Sequence, residues 1–173
     1  MFADDVVIWV SSASYDTCLL QLQAALDMIE GWSGIWGLRV SPEKSKAMLF
    51  ARPAAARSNR VKGRRASLML SGHDVPFVAN CRYLGVTFDS HMTWRPHVKS
   101  LHDSLTSRVN VLKTVSAKDW GADRTTLILL YKYLVLSKIE YGSQLYSAAA
   151  PSTVASLASV QYQCLKIASG APC

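Results

Sequence analysis

The chain has 173 residues, half of them hydrophobic, which is enough for one ordinary domain or two small ones. A formal charge of +7 favours polyanionic partners but equally suits a plain soluble basic surface. Cys18, Cys81, Cys164 and Cys173 form no Cys-x-x-Cys pair, which argues against a disulfide framework or a zinc signature, and a reducing, intracellular setting is expected.

The first ten residues carry the sharpest chemistry. Val, Ile and Trp around Asp4-Asp5 favour a pleated, half-buried surface. The stretch predicts a β-hairpin turned at Asp4-Asp5, with one strand entering through Phe2 and the other leaving through Val6–Val10. Two adjacent carboxylates repel each other unless a cation sits between them. Their oxygens suit Mg²⁺ or Mn²⁺, so the pair is a candidate metal site for phosphoryl transfer. A solvated Asp-Asp turn explains the same residues.

Ser14 is placed to cap a helix, and Asp16 sits where the helix dipole favours negative charge. Tyr15, Cys18, Leu19, Leu22, Ala25, Leu26, Ile29, Trp32 and Trp36 then recur at helical spacing, which predicts a helix with this stripe in the core and Gly37 as its stop. Ser41-Pro42 marks a turn, and Lys44–Phe50 alternates as a strand with Lys44 and Lys46 on one face. The two lysines face either a phosphate or only water.

The stretch from about 52 to 66 contains Arg57, Arg60, Lys62, Arg64 and Arg65 and no acid, so it reads as a basic loop. Such a run is a solvated linker or a grip on nucleic-acid backbone. Leu68–Val78 predicts a hairpin turned at Gly72, and Cys81–Asp89 a further strand. Gly85 inside that strand marks a bulge or a close backbone approach to a ligand.

Three helices are expected after Thr93. The first has Thr93 as cap, Pro96 in its first turn and Val98, Leu101, Leu105, Val109, Leu112 and Val115 on one face. The second runs from Asp123 to about Tyr141, and the third opens at Pro151 and stops at Gly170. Lys132 and Lys138 interrupt the apolar run Leu127–Ile139, which is too short for the roughly 20 residues of a membrane span. His73, His91, His97 and His102 lack i, i+4 pairing and are expected to be surface or structural residues.

Four motifs in order carry a resemblance: Phe-Ala-Asp-Asp-Val at residues 2–6, Gly-Leu-Arg-Val-Ser-Pro-Glu-Lys-Ser-Lys at 37–46, Tyr-Leu-Gly-Val at 83–86, and Tyr141-Gly142. The succession resembles the reverse transcriptases of non-LTR (jockey-like or LINE-like) retrotransposons, with Phe2 in place of the usual Tyr. The resemblance implies an α+β fold: residues 1–90 the rear part of a right-hand polymerase palm, a small mostly antiparallel sheet with a packed helix, and residues 91–173 an all-helical thumb. It implies Asp4 and Asp5 as catalytic metal ligands for Mg²⁺, Lys44 near the incoming triphosphate, and Tyr83, Leu84 and Gly85 in the primer grip. RNA template, DNA primer and deoxynucleoside triphosphates are the implied partners, and the nucleus the implied location. A fragment inactive by itself is expected, since a further carboxylate in the family comes from an earlier palm strand. A non-catalytic RNA- or DNA-binding module, or a decayed remnant, is the competing reading.

Overall fold

The computed structural model describes residues 4–50, 67–117 and 120–169. The fold is α+β, with helices and two separate two-stranded sheets. The chain divides into two compact units, Met1–Cys81 and Arg82–Cys173. The basic loop at about 52–66 lies outside the described residues, as do Phe2 and Gly170.

The first unit is built on α1 (Tyr15–Ile35). The Ser14 hydroxyl accepts from Thr17 N–H at its start, and Asp16 occupies the first turn. Gly37, at φ 66°, carries the chain away, with Leu38 N–H donating to Ser33 C=O at 2.8 Å. Strands β1 (Leu68–Leu70) and β2 (His73–Val75) pair antiparallel, Leu68 opposite Val75 and Leu70 opposite His73. Ser71 and Gly72 turn the hairpin, both at positive φ, as a two-residue hairpin turn of this twist requires. Leu68, Leu70 and Val75 form the buried centre, with Leu19, Leu22 and Leu26 of α1 packed against it. Gln23 joins helix to sheet edge: its amide nitrogen donates to Met69 C=O at 3.0 Å, and its amide oxygen accepts from Met69 N–H at 2.9 Å. One side chain thus satisfies the backbone pair that an edge strand leaves open.

The apolar stripe expected to be core in α1 is half-buried from Tyr15 to Ile29 but exposed at its end, Trp32 by 48% and Trp36 by 68%. Leu20, Met28 and Ile35, off that stripe, are exposed as well. A three-residue-per-strand hairpin is too small to cover the whole helix, and it covers the turns carrying Leu19, Leu22 and Leu26.

The second unit carries the larger core. The division between the units falls inside β3 (Asn80–Tyr83), which pairs with β4 (Val86–Asp89). The single strand expected over Cys81–Asp89 is therefore a hairpin. Leu84 and Gly85 have φ of 45° and 79°, and two consecutive left-handed residues reverse a chain instead of extending it.

Helix α2 (Arg95–Val115) buries Val98, Leu101, Leu105, Val109 and Leu112. Helix α3 starts at Arg124–Tyr131, continues through the π segment Lys132–Leu136 and ends with Ser137–Glu140. Asp123 caps it by accepting from Thr125 and Thr126 N–H. Arg108 donates to Leu134 C=O at 2.7 Å, inside the π segment, where the helical ladder is locally interrupted. A short helix α4 (Ser143–Tyr146) leads to α5 (Pro151–Ser169), which buries Leu157, Val160, Cys164 and Ala168. Burial raises the Cys164 thiol above its ordinary value, so it behaves as a small hydrophobe. Leu105, Val135 and Cys164, each 0% exposed, form the centre where α2, α3 and α5 meet.

Candidate functional site

The sequence-predicted residues fall on both units. In the first, Asp4 lies in a turn and Asp5 makes an isolated backbone bridge, and both are exposed. The strand expected to leave through Val6–Val10 is not formed. Val6, Val7 and Trp9 are 50%, 52% and 82% exposed, and no described strand pairs with them.

Lys44 is exposed in the turn Pro42–Lys44, not on a strand. Ser45 closes that turn: its N–H donates to Ser41 C=O at 3.2 Å and its hydroxyl to the same oxygen at 2.8 Å. Strand alternation therefore does not set Lys44 and Lys46 on one face. Among the described residues, the segment Lys44–Phe50 pairs only at Ala47, by a single parallel bridge to Phe77. Among the described residues Asp4, Asp5 and Lys44 make no side-chain hydrogen bond or ion pair, and no group of three or more His, Cys, Asp or Glu comes together. Two exposed carboxylates at a turn fit a hard divalent ion by donor type, with the remaining positions left to other oxygens.

In the second unit, Tyr83-Leu84-Gly85-Val86 is the hairpin turn and its flanks. A left-handed conformation at a branched residue such as Leu84 costs about 1–2 kcal/mol. The compensation comes from Tyr141 at the end of α3, whose hydroxyl donates to Leu84 C=O at 2.8 Å. Its ring lies over Gly85, where a Cβ would stand 3.3 Å from Tyr141 Cε1. Gly142, at φ 70°, brings backbone close to the Val86 side chain: a Cβ there would be 3.1 Å from Val86 Cγ2. What approaches Gly85 here is the Tyr141 side chain of the same unit. Two motifs 57 residues apart meet, which no local pattern announces.

Two titratable groups hold this hairpin onto α2. Asp89, at the end of β4 and 6% exposed, accepts from Trp94 N–H at 2.8 Å, Thr93 N–H at 3.0 Å and His91 N–H at 3.2 Å. Burial disfavours its charge, and these N–H groups outweigh that, holding the carboxyl below its ordinary value. The expected Thr93 does meet the start of α2, its hydroxyl accepting from Arg95 N–H at 3.5 Å, while Asp89 ties down the residues just before the helix, where Trp94 sits at φ 62° with no side-chain cap of its own. Asp89, six residues before Arg95, stands outside any capping position, so the sequence carries no local signal for its role.

His97 is buried beside the same hairpin, as expected of a structural histidine. Its Nδ1 accepts from Thr87 N–H at 3.3 Å, and its ring lies 5.3 Å from that of Tyr146. Burial, with the Arg82 guanidinium adding to it, lowers its basicity.

A groove runs between α2 and α5. A cavity of about 440 Å³ lies by Arg95, Lys99 and Ser156, and one of about 200 Å³ by Asn110, Lys113 and Gln163; His102 lines both. Arg95, Lys99 and Lys113 are exposed along α2. Among the described residues no helix is long and apolar enough to cross a membrane.

No family model matches the chain, and no solved structure matches it significantly. Curated relatives do. The chain is 26% identical to the RNA-directed DNA polymerase from mobile element jockey of Drosophila melanogaster, over 99% of this chain and 18% of that protein. It is 27% identical to the putative 115 kDa protein in type-1 retrotransposable element R1DM of the same organism, over 84% of this chain and 13% of that protein. It is also 26% identical to a retrovirus-related Pol polyprotein from type-1 retrotransposable element R1 2 of Nasonia vitripennis, over 96% of this chain and 42% of that protein. The chain thus spans less than a fifth of the length of the first two.

The chain is a partial-length homologue of the RNA-directed DNA polymerases of mobile elements. Within that class its relatives are jockey and R1 non-LTR retrotransposon proteins, the group that its four ordered motifs resemble.

Proposed function

We propose that the chain contributes palm and thumb to an RNA-directed DNA polymerase, with Asp4 and Asp5 as metal-ligating carboxylates at its active site. Homology across almost the whole chain carries this reading. Asp4 and Asp5 present oxygen donors that suit Mg²⁺, with Mn²⁺ an acceptable substitute. A divalent ion there supplies charge to the oxygens that attack and leave in phosphoryl transfer. Lys44 stands by the incoming deoxynucleoside triphosphate, and the Leu84–Gly85 turn bears on the DNA primer paired to its RNA template. Arg57, Arg60, Lys62, Arg64 and Arg65 add backbone contacts, and Arg95, Lys99 and Lys113 along α2 offer more. The site of action is the nucleus, where chromosomal DNA is available.

Primer extension by the element's full polymerase containing this chain tests the assignment. Asp4→Asn is expected to lower kcat by more than about 100-fold, beyond the 10- to 100-fold typical of disturbing a metal's outer shell. Primer–template affinity without Mg²⁺ should stay within about two-fold, since phosphate contacts dominate it. Wild-type extension by the Asp4→Asn enzyme would overturn the assignment.

A further inference from the structure

We propose that Tyr141 is a positioning residue for the Leu84–Gly85 turn, fixing the backbone conformation that the turn presents to the primer. The proposal rests on the polymerase reading for the primer and on geometry for the lock itself. The Tyr141 hydroxyl donates to Leu84 C=O at 2.8 Å, and its ring covers one side of Gly85. Leu84 takes a φ of 45°, which a leucine leaves readily unless held. Of the two left-handed residues in the turn, only Gly85 adopts that conformation freely. Releasing the carbonyl would let the Leu84–Gly85 peptide reorient while β3 and β4 stay paired.

Tyr141 remains 59% exposed despite this bond, and Gly85 is exposed beside it. The turn is thus fastened from one side and open on the other, an arrangement suited to presenting backbone groups to a ligand. The Tyr146 hydroxyl also donates to backbone, at Ile139 C=O, but Tyr146 is buried in the helical core and leaves no such open face. Tyr141 N–H closes the last turn of α3 on Ser137 C=O at 3.2 Å, and at ψ 116° the chain leaves the helix after it. The side-chain hydroxyl takes no part in that bond.

The test is a double-mutant cycle in the full polymerase. Tyr141→Phe keeps the ring over Gly85 and removes only the hydroxyl. It is expected to raise the primer KM about five-fold, the factor one ordinary hydrogen bond carries, with kcat changed less than about two-fold. In a Leu84→Gly background, where position 84 needs no holding, the same change should add no further loss. Amide hydrogen exchange at Gly85 and Val86 should accelerate in Tyr141→Phe and not elsewhere in the second unit, a readout that needs no activity. Unchanged exchange at both amides would overturn the lock. An unchanged primer KM, or the same loss in both backgrounds, would overturn the positioning role. Failure of the polymerase reading shows separately, as extension that survives Asp4→Asn.

Discussion

The two hairpins among the described residues have the same turn and different surroundings. Ser71–Gly72 and Leu84–Gly85 each place two consecutive residues at positive φ between antiparallel strands. At the first, nothing stands within 4 Å of a Cβ built on Gly72, and the Ser71 N–H donates to the Glu30 carboxylate at 3.2 Å. At the second, Tyr141 covers Gly85 and bonds Leu84, Gly142 presses on Val86, and Asp89 anchors the outgoing strand to α2. Ser71 and Leu84 both bear the left-handed penalty of a residue with a Cβ, and both have side-chain partners on their backbone: Ser71 C=O also lies 2.9 Å from His73 Nδ1. The difference is that the first turn is held by polar groups alone and the second is also packed by an aromatic ring. Tyr83–Val86, one of the four motifs that carry the family resemblance, is the packed one.

Core truncation gives the widest separation between the two surroundings. Leu105→Ala, at a fully buried position, should destabilise the second unit by about 3–5 kcal/mol in a denaturant melt. Ile35→Ala on the exposed side of α1 should stay within about 0.5 kcal/mol. Equal losses would mean that a partner covers α1 in solution.

Asp89→Ala comes next, because it leaves three backbone donors unpaired at a buried site. A loss of about 2–3 kcal/mol is expected, with faster hydrogen exchange at the Thr93 and Trp94 amides. A loss under about 0.5 kcal/mol would show that water takes over the carboxylate's role. The glycines test the turns directly. Gly72→Ala should cost about 1 kcal/mol for its left-handed φ alone, and Gly85→Ala about 2 kcal/mol because the added methyl also meets Tyr141. The reverse order would place the tighter turn in the first unit.

The smallest effect is one of pH. His97 is harder to protonate in the folded chain than in the unfolded one, because of burial and then Arg82. The unfolded chain therefore binds more protons below the ordinary histidine value of about 6.5. The stability from His97 is complete above that pH and falls away as pH drops from about 6.5 through the lowered folded value. Asp89 acts with the same sign, but only below about pH 4. Thermal melts between pH 7 and 5 should show the histidine slope, and His97→Gln should flatten it. A wild-type slope in that variant would assign the titration to another group.

Local chemistry made much of the fold legible. Ser14 and Asp123 cap helices where their side chains predict, and the apolar spacing from Val98 to Leu112 marks the buried face of α2. Gly72 turns its hairpin as expected, while Gly85 shows the limit of such reading. A glycine among strand-forming residues marks either a bulge or a turn, and here Leu84 at positive φ decides for the turn. Lys44–Phe50 misleads for the opposite reason: its alternation is strand-like, yet among the described residues only Ala47 finds a partner. At the candidate site, Asp4 and Asp5 are recognisable from sequence order, whereas the link from Tyr141 to Leu84 has no local signature.

The sequence by itself determined where the helices start, which face of α2 is apolar, and which proteins the chain is related to. These follow from nearest-neighbour spacing, capping groups and motif order, all of which are properties of a linear chain. Only the tertiary structure decided which apolar residues are covered, since burial depends on what else packs there. Trp32 and Trp36 lie on the same apolar stripe as Leu19 and Leu22 and remain exposed. It also decided that Tyr141 holds Leu84, because a hydrogen bond between residues 57 positions apart exists only once α3 and the β3–β4 hairpin have packed together.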